Sequence, residues 1–229
     1  MSDIINSIFK AGELITAFDG EIYGIIALTL WVTVAGALIA AALSLPLGIT
    51  IGSKNFTGKR FLIRIINTLM GLPPVVAGLV VYLFLSRNGP LGRLGLLFTP
   101  AAMVLAQVII VTPIITGLVI AIVKLKHQPV TETCKGLGMK SPLIFIMLLR
   151  ECKYPLFSAL LAGYGRAVSE VGAVMLVGGN IQYQTRVMTT AILLETGKGN
   201  YDRALALGMI LIIISFMINW LLQRFQEAK

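Results

Sequence analysis

Four stretches of this chain contain no Asp, Glu, Lys or Arg: residues 22–53, 65–86, 94–123 and 204–223, which are 32, 22, 30 and 20 residues long. A helix needs about 20 apolar residues to cross the hydrocarbon of a bilayer. A fifth window, residues 154–185, is 32 residues long and is interrupted only by Arg166 and Glu170. The windows predict an all-α integral membrane protein with five transmembrane helices, because only helices and closed barrels satisfy the backbone in lipid. The ten-residue alternating strands of a barrel do not appear.

Composition agrees. Of the 229 residues 57% are hydrophobic and 13% charged, whereas a soluble domain carries about 25% charged residues. The net charge of +9 is distributed by side. With the N-terminus outside, twelve basic residues fall inside: Lys54, Lys59, Arg60, Arg64, Lys124, Lys126, Lys135, Lys140, Arg150, Lys153, Arg224 and Lys229. Six fall outside (Lys10, Arg87, Arg93, Arg186, Lys198 and Arg203), and Arg166 lies within a span. Short loops rich in Lys and Arg stay cytoplasmic, so this asymmetry predicts N-terminus outside and C-terminus inside. The excess charge then reports topology and anionic lipid, and no nucleic-acid partner is expected. Cys134 and Cys152 lack CxxC spacing and His127 is the single histidine, so no metal site is expected.

Residues 1–20 read as a separate leading segment, with Ile4, Ile5, Ile8, Leu14, Ile15 and Phe18 near helical spacing. They fit an amphipathic helix on the outer surface or a plain lead-in to the first span. Asp3, Lys10, Glu13 and Asp19 argue against a cleavable signal peptide. Residues 21–225 form the membrane domain. Within it Pro46 is expected to kink the first span, and Pro73-Pro74 break the second. Pro113, beside Thr112, interrupts the third. Irregular backbone at membrane depth is tolerated only in a protein interior or a cavity wall, so Pro73, Pro74, Thr112 and Pro113 are candidates to line a pathway. A simple packing kink is the competing reading. Residues 86–92, SRNGPLG, form a turn.

Residues 124–153 are the long inside connection, with two short helical pieces expected at about 128–137 and 142–151. Beyond Gly178-Gly179-Asn180, a short surface helix is expected around Val187, Met188, Ala191, Ile192 and Glu195, ending at Gly197. Arg166 and Glu170 share a helical face and can neutralise each other, since each alone costs about 2.5–3.5 kcal/mol at a span centre. Arg ahead of Glu is the poorer order for an i,i+4 pair, which favours partners on another helix. The two are read as an intramembrane charge pair, with structural pairing favoured over direct contact of Arg166 with a ligand.

Glu132-Thr-Cys-Lys-Gly-Leu-Gly138 resembles the EAA motif of ATP-binding-cassette (ABC) importer permeases, with Thr133 and Cys134 in place of its two alanines. The Leu-Pro that usually follows is absent; Leu149-Arg150 stands near its place, and Pro155 matches a later family proline. GYGRAVSEVGAVMLVGGN, residues 163–180, is similar to the Arg-Ala-x-x-Glu-x-Gly-Ala stretch of molybdate, sulfate and tungstate permeases. GLPPVVAGLVVYLFLSRNGPLG and LLETGKGNYDRALALG look closest to the tungstate branch.

The resemblance implies the type-1 ABC permease fold in a prokaryotic inner membrane. It also implies a homodimer, two ABC ATPase subunits inside and an extracytoplasmic oxyanion-binding protein. Glu132, Thr133, Cys134, Gly136 and Gly138 would then form the coupling contact with the ATPase. The chain has no GxxxxGK[ST] loop, so ATP and magnesium are expected in the partner and no cofactor or covalent chemistry here. Tungstate is the expected cargo, and molybdate or another oxyanion is the alternative. From a different class, a proton-coupled secondary transporter using Glu170 is the rival, although no inverted repeat is evident. A membrane enzyme would have one histidine and one intramembrane carboxylate to work with.

Overall fold

Every fourth residue from Gly36 to Gly52 is small: Gly36, Ala40, Ser44, Gly48 and Gly52, all buried. In a helix that spacing makes one narrow stripe. It lies on α1 (Gly20–Ser53) and receives α4 (Pro100–Gly136), the principal partner of α1. A Cβ added at Gly48 would lie 2.5 Å from Val119 Cγ1, and one at Gly52 would lie 2.8 Å from Val123 Cβ. Lipid supplies no hydrophobic drive between helices, so such close backbone approach is what holds spans together. Ser44 adds a hydrogen bond of 3.0 Å from its hydroxyl to the Thr112 carbonyl of α4.

The computed structural model describes residues 20–227 together with Phe9 and Glu13, and the rest of the leading segment 1–20 lies outside the described residues. The remaining helices are α2 (Lys59–Met70), α3 (Pro74–Leu85), α5 (Ser141–Val168), α6 (Gly172–Gly178), α7 (Met188–Gly197) and α8 (Tyr201–Glu227). A short 3-10 turn, Gly92–Leu94, follows the expected turn at 86–92. Among the described residues, three helices are long and apolar enough to cross a bilayer: α1, α4 and the Tyr201–Trp220 part of α8. The pair α2 and α3, bent by 99° at the double proline, would make a fourth. Trp31, Leu38 and Leu43 on α1 and Ile212, Phe216 and Trp220 on α8 face outward, as lipid-facing side chains do.

Two expectations are corrected. The inside connection contains no separate short helices; the pieces at 128–137 and 142–151 are the ends of α4 and α5. Charge ends a membrane span without ending a helix, and the run from Lys124 to Lys135 holds no glycine to stop one. Pro142 does sit in the first turn of its helix. Likewise α7 is no surface helix, since Met188, Thr190, Ala191 and Glu195 are buried. It is tied to α1 by Thr29, whose hydroxyl accepts from the Met188 N–H at 2.9 Å.

At the same end Glu21, in the first turn of α1, pairs with Arg186 at 3.1 Å and approaches Arg203 at 4.0 Å. Burial by itself pushes the Glu195 carboxyl up. Hydrogen bonds from Asn200 and Lys198, with the charges of Lys198 and Arg203, outweigh it and bring the carboxyl below its ordinary range.

A close approach of one helix to the backbone of another gives a direct test. A Cβ on Gly78 of α3 would lie 2.5 Å from the Ala173 Cα of α6. Backbone cannot step aside, so Gly78→Leu is expected to cost about 1–3 kcal/mol or more and to part these helices. Gly117→Ala meets only the flexible thioether end of Met70, and should be absorbed. Thermal denaturation followed by size-exclusion in detergent separates the two; equal midpoints would contradict this packing.

Candidate functional site

The charged pair sits where a helix stops and another starts. α5 ends at Val168 and α6 begins at Gly172, leaving Ser169, Glu170 and Val171 between them. Arg166 Nη2 lies 3.2 Å from Glu170 Oε2, with the carboxylate side chain 2% exposed and the guanidinium side chain 33%. The other carboxylate oxygen accepts the Ala173 N–H at 3.0 Å, capping the first turn of α6. Arg166 occupies the last turn of α5, where a cation suits the helix dipole, and Glu170 faces a helix start, where an anion does. The order that is unfavourable along one continuous helix is therefore favourable across a break. The two pair with each other, as their shared helical face predicts, and the break removes the order penalty that mildly favoured partners on another helix.

The exposed backbone of the break is satisfied by other helices. Gln107 of α4 donates to the Ala167 carbonyl at 3.3 Å, and the Thr189 hydroxyl of α7 donates to the Glu170 carbonyl at 3.2 Å. Sequence reasoning passed over both residues. Gln107 left a signal, being the one amide side chain in the charge-free run 94–123. Its Oε1 is buried without a partner beside a cavity of about 10 Å³, lined by Thr29, Thr33, Glu170 and Thr189 among others. Such a space holds no more than one water-sized molecule.

The double proline comes to the same place. A Cβ on Gly172 would lie 2.6 Å from Val75 Cγ2 and 3.8 Å from Glu170 Oε1. The start of α3, just after Pro73 and Pro74, thus packs on the start of α6, and the two helix breaks are neighbours. Pro73 is exposed and Pro74 half-buried. Thr112 and Pro113 stand apart from this junction. The Thr112 carbonyl receives the hydroxyls of Ser44 and Thr116, and its own Oγ1 is buried without a partner.

At the opposite end of α4, the residues matching the EAA motif form a helix stop. Gly138 has φ +71, its N–H bonds the Lys135 carbonyl at 2.9 Å, and the Met139 N–H bonds the Cys134 carbonyl at 3.0 Å. That is the Schellman pattern, with glycine at the left-handed position. Gly136 is the last residue of α4, and no atom crowds it. Cys134 is buried, whereas Glu132, Thr133, Gly136, Leu137 and Gly138 are exposed. Glu132 accepts from Gln128 at 2.9 Å along the helix, and Lys126 pairs with Glu151 at 3.1 Å, joining α4 to α5.

Comparison with known proteins gives these features a family. Residues 44–228 match the model described as "Binding-protein-dependent transport system inner membrane component". The tungstate uptake system permease protein TupB of Peptoclostridium acidaminophilum is 43% identical over 99% of this chain and 100% of its own length. A probable anion ABC transporter permease of Haloferax volcanii is 41% identical over 96% of this chain and 95% of its own. The sulfate transport system permease CysW of Escherichia coli K12 is 30% identical over 87% and 75%. In structure, a bacterial ABC transporter involved in alginate import matches with a TM-score of 0.73 at 18% identity, covering 95% of this chain and 83% of its own. The chain therefore belongs to the binding-protein-dependent transport system inner membrane components, as the multi-pass, non-catalytic permease subunit of a prokaryotic ABC importer.

Proposed function

We propose that the cargo is a tetrahedral oxyanion, tungstate first and molybdate next. The observation that carries this reading is the end-to-end match at 43% identity with a tungstate uptake permease, far above the 30% shared with a sulfate permease. As an ABC importer permease the chain works with an ATPase and a binding protein. The finer assembly is two copies of this chain with two ATPase subunits that hold ATP and magnesium. The chain crosses the membrane five times, the bent α2–α3 pair and α5–α6 each counting once. The adjoining breaks at Pro73-Pro74 and 169–171 are the pathway-facing junction, with Thr112 and Pro113 lining it further along.

Vesicles containing this chain, its ATPase and its binding protein should accumulate labelled tungstate only with ATP, with molybdate competing and sulfate failing to compete. Uptake that persists without the ATPase and follows a pH gradient would replace this reading with a proton-coupled carrier. Equal competition by sulfate would remove the cargo assignment alone.

Topology is tested separately. In a background lacking Cys134 and Cys152, a cysteine at Asn88 should react with an impermeant reagent from outside, and one at Lys135 only from inside. The reverse labelling would overturn the orientation.

A further inference from the structure

Lys54, His127 and Lys135 converge on one concave pocket of about 310 Å³ where the ends of α1, α4 and α5 meet. His127, Thr131 and Lys135 are four residues apart and so line one side of α4. Lys54 enters from just past the end of α1, and Ser141 from the first turn of α5. Ile144 and Leu148, both buried, form an apolar floor. Among the described residues, none that lines the pocket is acidic. Among the described residues, Lys54, His127 and Lys135 form no ion pair. The nearest candidates in sequence are engaged away from it: Glu132 with Gln128, and Glu151 with Lys126.

Lys54 and Lys135 are themselves exposed, but like charges gathered around one concavity raise the local potential and concentrate anions there. Two ammonium groups, an imidazole and two hydroxyls supply hydrogen-bond donors from several directions. Ser53 is a weaker contributor, because its own hydroxyl donates to the Ile49 carbonyl at 2.7 Å. An anion with several acceptor oxygens and more than one negative charge suits this donor set. We propose that the pocket binds a phosphate-class oxyanion, as a free tetrahedral dianion or as the phosphate of an anionic lipid headgroup. Lys135 and Ser141 flank the turn that carries Gly138. A ligand spanning them clamps both ends of that turn and sets its position. The inference rests on the pocket alone and does not depend on which cargo is carried.

The test uses the full-length chain in neutral detergent with labelled inorganic phosphate in equilibrium dialysis. A second arm measures lipid retained from nanodiscs of phosphatidylcholine with or without phosphatidylglycerol. Saturable phosphate binding of about one per chain, weakened at least tenfold in Lys54→Gln/Lys135→Gln, supports a free oxyanion. Phosphatidylglycerol retention lost in the same variant, without phosphate binding, supports the headgroup. His127→Gln should weaken whichever ligand binds by a smaller factor. Lys126→Gln, which removes a charge engaged elsewhere, should bind like the wild type and guards against a general loss of positive charge. Equal binding by wild type and the double variant overturns the proposal. So does retention of neither ligand, and a requirement for Lys54 and Lys135 only in ATPase docking would assign the pocket to an acidic segment of that partner.

Discussion

Glu170→Ala is expected to remove most of the folded permease. The substitution leaves the Arg166 guanidinium without its carboxylate and the Ala173 N–H without its acceptor. Removing one member of a buried pair costs about 3–5 kcal/mol, and Arg166 keeps enough solvent contact to hold that term to the lower end. The orphaned amide adds about 1–3 kcal/mol. The sum, about 4–6 kcal/mol, matches the lower end of a net stability of about 5–15 kcal/mol. Arg166→Leu leaves a carboxylate that is 2% exposed without its counter-charge, so it should also destabilise the fold.

Two double variants divide the effect. Arg166→Leu with Glu170→Leu removes both charges but still orphans Ala173 N–H. Arg166→Leu with Glu170→Gln keeps a neutral acceptor there and should recover more folded protein. The measurement is the monodisperse fraction after heating in detergent. An Arg166→Leu single variant with wild-type stability would show that the pair contributes nothing. Recovery of assembly in the glutamine double variant without recovery of uptake would give Arg166 a role in transport beyond pairing.

Legibility divided along local and non-local lines. Charge-free runs announced α1, α4 and the membrane part of α8, because a span's length and apolarity are local properties. Pro73-Pro74 announced the bend between α2 and α3 for the same reason. The break at 169–171 has no proline, so the spacing announces the Arg166–Glu170 pair but not the break that makes its order favourable. What stops the helix there is tertiary: Gln107 and Thr189 take its loose carbonyls, and Glu170 caps the next start. The meeting of Val75 with Gly172 joins residues nearly a hundred positions apart, which no local pattern encodes. The stripe from Gly36 to Gly52 was present at a fixed spacing of four, yet spacing alone does not name α4 as the helix it receives. Between α4 and α5, charged residues mark the edge of a span and not the edge of a helix. The stops that mattered were Gly138 and the Ser141-Pro142 start.

Gly138→Val is expected to abolish most uptake while the permease still folds and inserts. Gly138 holds φ +71 at the left-handed position of the stop that ends α4. A side chain there meets nothing within 4 Å, so the cost is in the backbone and not in packing. An L-residue in this region costs roughly 1–2 kcal/mol, and a β-branched one is a true outlier. Valine should therefore move the turn out of its left-handed geometry and displace Leu137, which is 73% exposed and free to meet a partner. Asparagine tolerates the same φ, so transport should rank glycine, asparagine, alanine, then valine. Glu132→Ala supplies the complementary variant. Its carboxylate is exposed and, among the described residues, bonded to Gln128 one turn away, so its loss leaves the fold intact and acts on the partner contact. If this turn couples the permease to the ATPase, both variants lower ATPase co-purification and binding-protein-stimulated hydrolysis together with uptake. Wild-type values of co-purification and hydrolysis in Gly138→Val and in Glu132→Ala would take the coupling role away from residues 132–138 and send the search to another inward-facing turn.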